Sequence, residues 1–237
     1  MLTTDPQAQA SHALQLFHSG SFQPALEAAA PLLAQPHVAA EMHHLTGACL
    51  HSIGRGVEAV PYLRKAISLD GANPSFLNTL GVVLRKLKRT EEAIRSYERV
   101  MALQPDFSDV YYNCGNALQE LKRTDEAISR FRSCLELNPG HNSAHHNLAN
   151  ALRDLKEINE ALKHYALSDQ CDHNNPDMHC NWGLAWQLDE RWDKAIDCFE
   201  VAINQKANHA ASHINLGGAL AVQERFDEAC AALRRGV

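Results

Sequence analysis

The sequence repeats itself every 34 residues. Laid against itself at that spacing, the chain divides into 6–39, 40–73, 74–107, 108–141, 142–175, 176–209 and a shorter 210–237, with no residue inserted or lost. A fixed period of this length marks an array of supersecondary units, each burying its apolar face on its neighbours instead of on one central core. Residues 1–5 stand outside the frame and read as a leader.

Two positions set the register. The eighth of each unit holds Ala13, Gly47, Gly81, Gly115, Ala149, Gly183 and Gly217, and the twentieth holds Ala25, Ala59, Ala93, Ala127, Ala161, Ala195 and Ala229. Small residues at both places allow two helices to cross at the short end of the usual spacing of about 8–10 Å. Around them run two helical stripes. Phe76, Leu80, Val83, Leu84 and Leu87 mark the first helix of the third unit, and Ala127, Ile128, Phe131, Cys134, Leu135 and Leu137 mark the second helix of the fourth, which Pro139 stops. Thr90 and Thr124 are expected to be N-caps of second helices. Pro31 is expected to kink the second helix of the first unit, and Pro61 to disturb the next one less. The fifth unit departs late: Ser168, Asp169 and His173 stand where the third has Val100, Met101 and Pro105, so its second helix is expected to pack less well.

The recurring residues Leu80-Gly81, Glu92-Ala93-Ile94, Tyr97 and Pro105, met again as Cys114-Gly115, Glu126-Ala127-Ile128, Phe131 and Pro139, resemble the tetratricopeptide repeat over almost the whole chain. That resemblance implies an all-α, right-handed superhelical solenoid of about seven helix-turn-helix repeats, forming a single domain over 6–237, with a concave groove lined by the first helices.

Composition narrows the function. The 22 basic and 28 acidic side chains give a net charge of −6, and no block of like charge is long enough to bind nucleic acid or a membrane surface. The third unit has a balance of +2 and the sixth of −3, a gradient that either belongs to solvated outer faces or orients a partner. No basic segment followed by an apolar run opens the chain, so a cytoplasmic location is expected. The seven cysteines form no Cys-x-x-Cys pair and mostly occupy apolar stripe positions, as small buried hydrophobes in a reducing compartment do. The three tryptophans crowd into the sixth unit, where Trp182 and Trp186 are expected to fill core volume.

Chemistry, if any, belongs on the face of the first helix left over after packing. Its sixth position reads Leu45, Thr79, Asn113, Asn147, Asn181 and Asn215, and its ninth adds Asn116 and Asn150. Asparagine is a poor interior helix residue, so the row needs a reason. A carboxamide both donates and accepts, which suits it to grip an extended peptide backbone. The other reading is that these groups serve local hydrogen bonds. Together with Asn78, Tyr112 and His146 at the fifth position, these asparagines form the candidate peptide-binding set. The row, with Asn-x-x-Asn-Ala-Leu at 113–118 and 147–152, resembles the repeat region of O-linked N-acetylglucosamine transferases, which implies a second reading of the chain as the substrate-recruiting arm of a glycosyltransferase. The lysine with which chaperone-tail-binding members hold a terminal carboxylate is absent, since the fifth position is His44, Asn78, Tyr112, His146, Cys180 and Ile214.

His43, His145, His179 and His213 recur at the fourth position, with His141 and His209 four residues before two of them. They read as partly buried structural histidines, and no metal or other cofactor is expected. No phosphate-binding glycine loop or nucleophile motif is present, so the expected function is a non-catalytic scaffold for a protein or peptide partner. The seventh unit ends in mid-helix, which implies either further chain or self-association through that end.

Overall fold

The computed structural model describes residues 5–236, and among these there is no strand. Seven helix pairs follow one another: α1 (Pro6–His18) and α2 (Phe22–Ala29), α3 (Ala39–Ser52) and α4 (Gly56–Leu69), α5 (Pro74–Lys86) and α6 (Thr90–Leu103), α7 (Ser108–Glu120) and α8 (Thr124–Leu137), α9 (Asn142–Asp154) and α10 (Ile158–Cys171), α11 (Pro176–Leu188) and α12 (Trp192–Gln205), α13 (Ala210–Val222) and α14 (Phe226–Gly236). The second helix of every pair begins 34 residues after the previous one. The fold is the all-helical, paired-helix class that the period predicts. The chain forms two compact units divided after Arg123, one holding α1 to α7 and the other α8 to α14. Within each, a helix packs on the next, and first helices also touch first helices of the adjacent pair.

The link inside each pair is the same turn seven times. Gly20, Gly54, Lys88, Lys122, Lys156, Glu190 and Glu224, all at the fifteenth position, have positive φ between 58° and 82°. In the third repeat the Lys88 N–H donates to the Arg85 carbonyl and the Arg89 N–H to the Leu84 carbonyl, both at 2.9 Å, closing the first helix in a Schellman motif. That turn hands the chain directly to the second helix. Arg89, not Thr90, therefore takes the N-cap of α6 and makes no side-chain cap bond, while Thr90 is its first helical residue; Thr124 likewise opens α8. Arg89 instead clasps Glu92 one turn on through two bonds of 2.7 and 2.8 Å, as Arg55 does Glu58 and Arg225 does Glu228. First helices are capped more conventionally: Asp5, Asn73, His141 and Asn175 accept from backbone N–H groups, with proline at the first turn of α1, α5 and α11.

The small residues make room for rings as well as backbone. A Cβ added at Gly81 would lie 2.4 Å from the Tyr97 ring, one at Gly183 2.4 Å from Phe199, and ones at Gly47 and Gly217 2.6 Å from Leu63 and Leu233. Tyr97, Phe131, Tyr165 and Phe199, all at the twenty-fourth position, are the largest fully buried side chains, and the twentieth-position alanines are buried with them. The two prolines act differently from one another. Pro31, unable to donate, ends α2 at Ala29 and tightens the chain into a 3₁₀ turn over Ala30–Leu32, whereas α4 runs unbroken through Pro61 with its ring exposed. In the fifth repeat α10 keeps its full length and its packing on α9, and Ser168, wholly buried, donates to the Asn142 side chain. It nevertheless meets the following α11 less closely than the other second helices meet the repeat after them, as its late departures lead one to expect.

Candidate functional site

The candidate site is the row of fifth- and sixth-position side chains on successive first helices. Helical geometry places neighbouring positions on one flank, and within each unit stacking brings position five of one repeat against position six of the next, 35 residues on. In the first unit His44 Nε2 lies 2.9 Å from Thr79 Oγ1, and Asn113 Nδ2 donates to Asn78 Oδ1 at 3.3 Å. In the second, Asn181 Nδ2 donates to His146 Nε2 at 3.3 Å and Asn215 Nδ2 to Cys180 Sγ at 3.4 Å. All of the expected residues, Asn78, Tyr112, Asn113, Asn116, His146, Asn147, Asn150, Asn181 and Asn215, are half-buried. Each sixth-position carboxamide that ties to its neighbour through one N–H keeps a second N–H for other partners.

Two asparagines are engaged further. The Tyr165 hydroxyl donates to Asn150 Oδ1 at 2.6 Å, and Arg153 donates to Asn181 Oδ1 at 3.2 Å while also pairing with Asp154. Sequence reading missed Arg153 and Tyr165 as members of this surface. Nothing in the local pattern announces them, because their partners lie 15 and 28 residues away.

The imidazoles in the row are neutral at pH 7. Burial pushes His44 down to about 4, where it packs against the Phe76 ring at 4.7 Å. Burial, with Asp177 opposing and Arg153 assisting, lowers His146, consistent with its Nε2 accepting from Asn181.

The fourth-position side chains do another job. Tyr111, His145, His179 and His213 each reach the carbonyl six residues back, on Pro105, His173 or their counterparts, at 2.9–3.0 Å. They pin the loop between repeats to the helix that follows. His141 caps α9, and His209 bridges Ser212 and Asp177 at 2.6 and 3.0 Å. The recurrence of histidine is thus largely architectural.

Other expectations fare unevenly. Trp182 and Trp186 are half-buried; Trp186 packs against the core of α12 to α14 and carries the Lys194 ammonium 4.3 Å above its ring, and Trp182 stacks on His179. The cations of the third repeat are partly neutralised, Arg85 and Lys88 by Glu120 and Arg89 by Glu92. All seven cysteines are free thiols, five of them buried. No helix of the described residues is long and apolar enough to cross a membrane.

Models of the tetratricopeptide repeat match residues 81–122, 118–179 and 185–237. The chain is built from tetratricopeptide repeats. No curated protein matches it in sequence. Among solved structures, a tetratricopeptide repeat protein from Parabacteroides merdae is similar over 98% of this chain and 91% of its own, with a TM-score of 0.74 at 15% identity. Pseudomonas aeruginosa pilF is similar over 83% and 90%, with a TM-score of 0.73 at 21% identity. YrrB, described as a TPR protein with an unusual peptide-binding site, is similar over 84% and 99%, with a TM-score of 0.67 at 21% identity. At these identities the likeness is one of fold, and none of it singles out the glycosyltransferase repeats that the asparagine row resembles.

Proposed function

We propose that the chain is a non-catalytic interaction module that takes an extended peptide segment of a partner protein along its first-helix row. The observation that carries this reading is the 35-residue bonding register. It aligns the side chains of adjacent first helices within each unit and, at Asn113 and Asn215, leaves a second amide N–H beyond the bond to the neighbour. A row of such groups satisfies a peptide backbone whatever its side chains, as a main-chain-reading groove requires. The peptide-binding site ascribed to YrrB supports the same reading by analogy of fold.

The test is a selection of twelve-residue peptides from a random displayed library on the full chain, followed by titration of the enriched peptides. Changing Asn113, Asn147, Asn181 and Asn215 together to alanine is expected to weaken binding by at least about tenfold. Helical circular dichroism checks that the variant stays folded, since the same residues link neighbouring helices. Undiminished binding in a folded variant overturns the reading. The glycosyltransferase-arm alternative rests on the Asn-x-x-Asn-Ala-Leu pattern alone, and preferential capture of peptides from that enzyme class's substrates would favour it.

A further inference from the structure

The departure of the fifth repeat from its siblings has a spatial logic. At the twenty-eighth position other repeats hold Ile67, Met101, Leu135 and Ile203, and here stands Asp169; at the thirty-second, where Pro105 and Pro139 end their repeats, stands His173. Both substituted side chains converge on the fourth-position histidine of the next repeat. Asp169 Oδ1 lies 2.6 Å from His173 Nδ1 and 3.3 Å from His179 Nε2, and the three ligand-capable atoms all fall within 4.8 Å of one another.

We propose that Asp169, His173 and His179 form a binding site for a divalent transition-metal ion of the zinc class, with the remaining coordination position open to water. Two imidazoles and one carboxylate are the donor set of open zinc sites. Bonds of about 2.0–2.1 Å in a tetrahedron set ligand atoms about 3.3 Å apart. The Asp169–His179 edge already has that length. The exposed His173 ring opens its 2.6 Å edge to Asp169 by about 0.7 Å and settles against His179 from within 4.8 Å as the ion draws the three atoms together. His179, almost fully buried, supplies the fixed member of the set.

The surroundings fit the change that binding demands. His179 Nε2 now lies 3.0 Å from the His173 carbonyl, and it gives up that contact when it turns its lone pair to a metal, its proton moving to Nδ1. The carbonyl is not stranded, because Gln205 Nε2 also donates to it at 2.5 Å. The other end of that amide, Gln205 Oε1, is buried with no partner, an acceptor of the kind that a metal-bound water satisfies. An open depression of about 370 Å³, lined by His173, Asn174, Val201, Asn204 and Gln205, lies on the His173 side of the cluster.

The test uses the full chain, reduced and stripped of metal, at pH 7.5, titrated calorimetrically with zinc chloride alone. One ion per chain is expected, with loss of that event in His173→Ala and in Asp169→Asn, and its retention in His51→Ala. His173 is exposed, so its removal leaves the helices intact, and circular dichroism verifies this. Cobalt(II) gives a second readout: d–d absorption without the near-ultraviolet thiolate-to-metal band is expected. Absence of binding at 1:1, an unchanged isotherm in His173→Ala, or a thiolate band would each overturn the proposal.

Discussion

The α5–α6 and α9–α10 pairs share one frame and fill it differently. In α5–α6 the buried Tyr97 ring lies over Gly81, and its buried hydroxyl sits beside the Arg85 guanidinium without a well-formed hydrogen bond. In α9–α10 the equivalent ring, Tyr165, faces a repeat whose eighth position is Ala149, and its hydroxyl donates to Asn150 and lies 3.4 Å from Arg153. The first pair contains no histidine, whereas the second holds His145, His146 and His164, with the first and last in contact through their Nδ1 atoms at 2.9 Å. Where its two helices cross, the first of these pairs is filled by apolar groups around the Tyr97 ring, its polar side chains bonding along the outer faces and to neighbouring repeats. The other exchanges part of that packing for a hydrogen-bonded network, and the exchange works because each polar group introduced has a partner.

Size at the eighth position should break the equivalence most sharply. Gly81→Ala drives a methyl group into the Tyr97 ring and is expected to cost about 1–3 kcal/mol, while the reverse change, Ala149→Gly, costs only about 1 kcal/mol through backbone entropy. Urea unfolding of both variants checks the pair, and equal losses would mean that the two crossings are packed alike.

The hydroxyls separate the pairs next. Tyr165→Phe leaves the Asn150 oxygen without its donor and is expected to destabilise by about 1–2 kcal/mol; Tyr97→Phe, which removes a buried group without a well-formed hydrogen bond, is expected to be neutral or stabilising. Thermal melts of the two single variants decide this, and a shift of the same sign in both would remove the distinction.

Mild acid should sharpen the comparison with the smallest effect. Burial, assisted by His145, holds His164 below its ordinary value of 6.5, and burial does the same for His146. The unfolded chain therefore binds protons that the folded one refuses. The stability these rings support is complete above pH 6.5 and is lost as the pH falls from there toward their lower folded values. Amide exchange, corrected for intrinsic rate, is expected to quicken between pH 7 and pH 5 in α9 and α10, and in α5 where His44 rests on Phe76 and Thr79, and to stay unchanged in α6. Uniform loss of protection would point to a global cause.

The same comparison shows where sequence reading stops. Tyr97 and Tyr165 are both legible as buried rings, because a 3.6-residue stripe says which side of a helix is covered. That Asn150 serves Tyr165, and so belongs partly to the core as well as to a partner-binding face, is legible only from which rotamers meet across the helix pair. Asp169 and His173 read as flaws in a repeat until the fold carries them to His179.

By itself the sequence determined the period, the helix pairs, the small-residue crossings and the positions that would be covered. All of these follow from spacing along one chain, where a helix turns the same way wherever it lies. The tertiary structure alone decided which polar atoms pair: Asn113 with Asn78, Asn181 with His146 and Arg153, Asp169 with two histidines. Hydrogen bonds and metal ligation depend on tenths of an ångström between side chains up to 35 residues apart, and only packing supplies that precision.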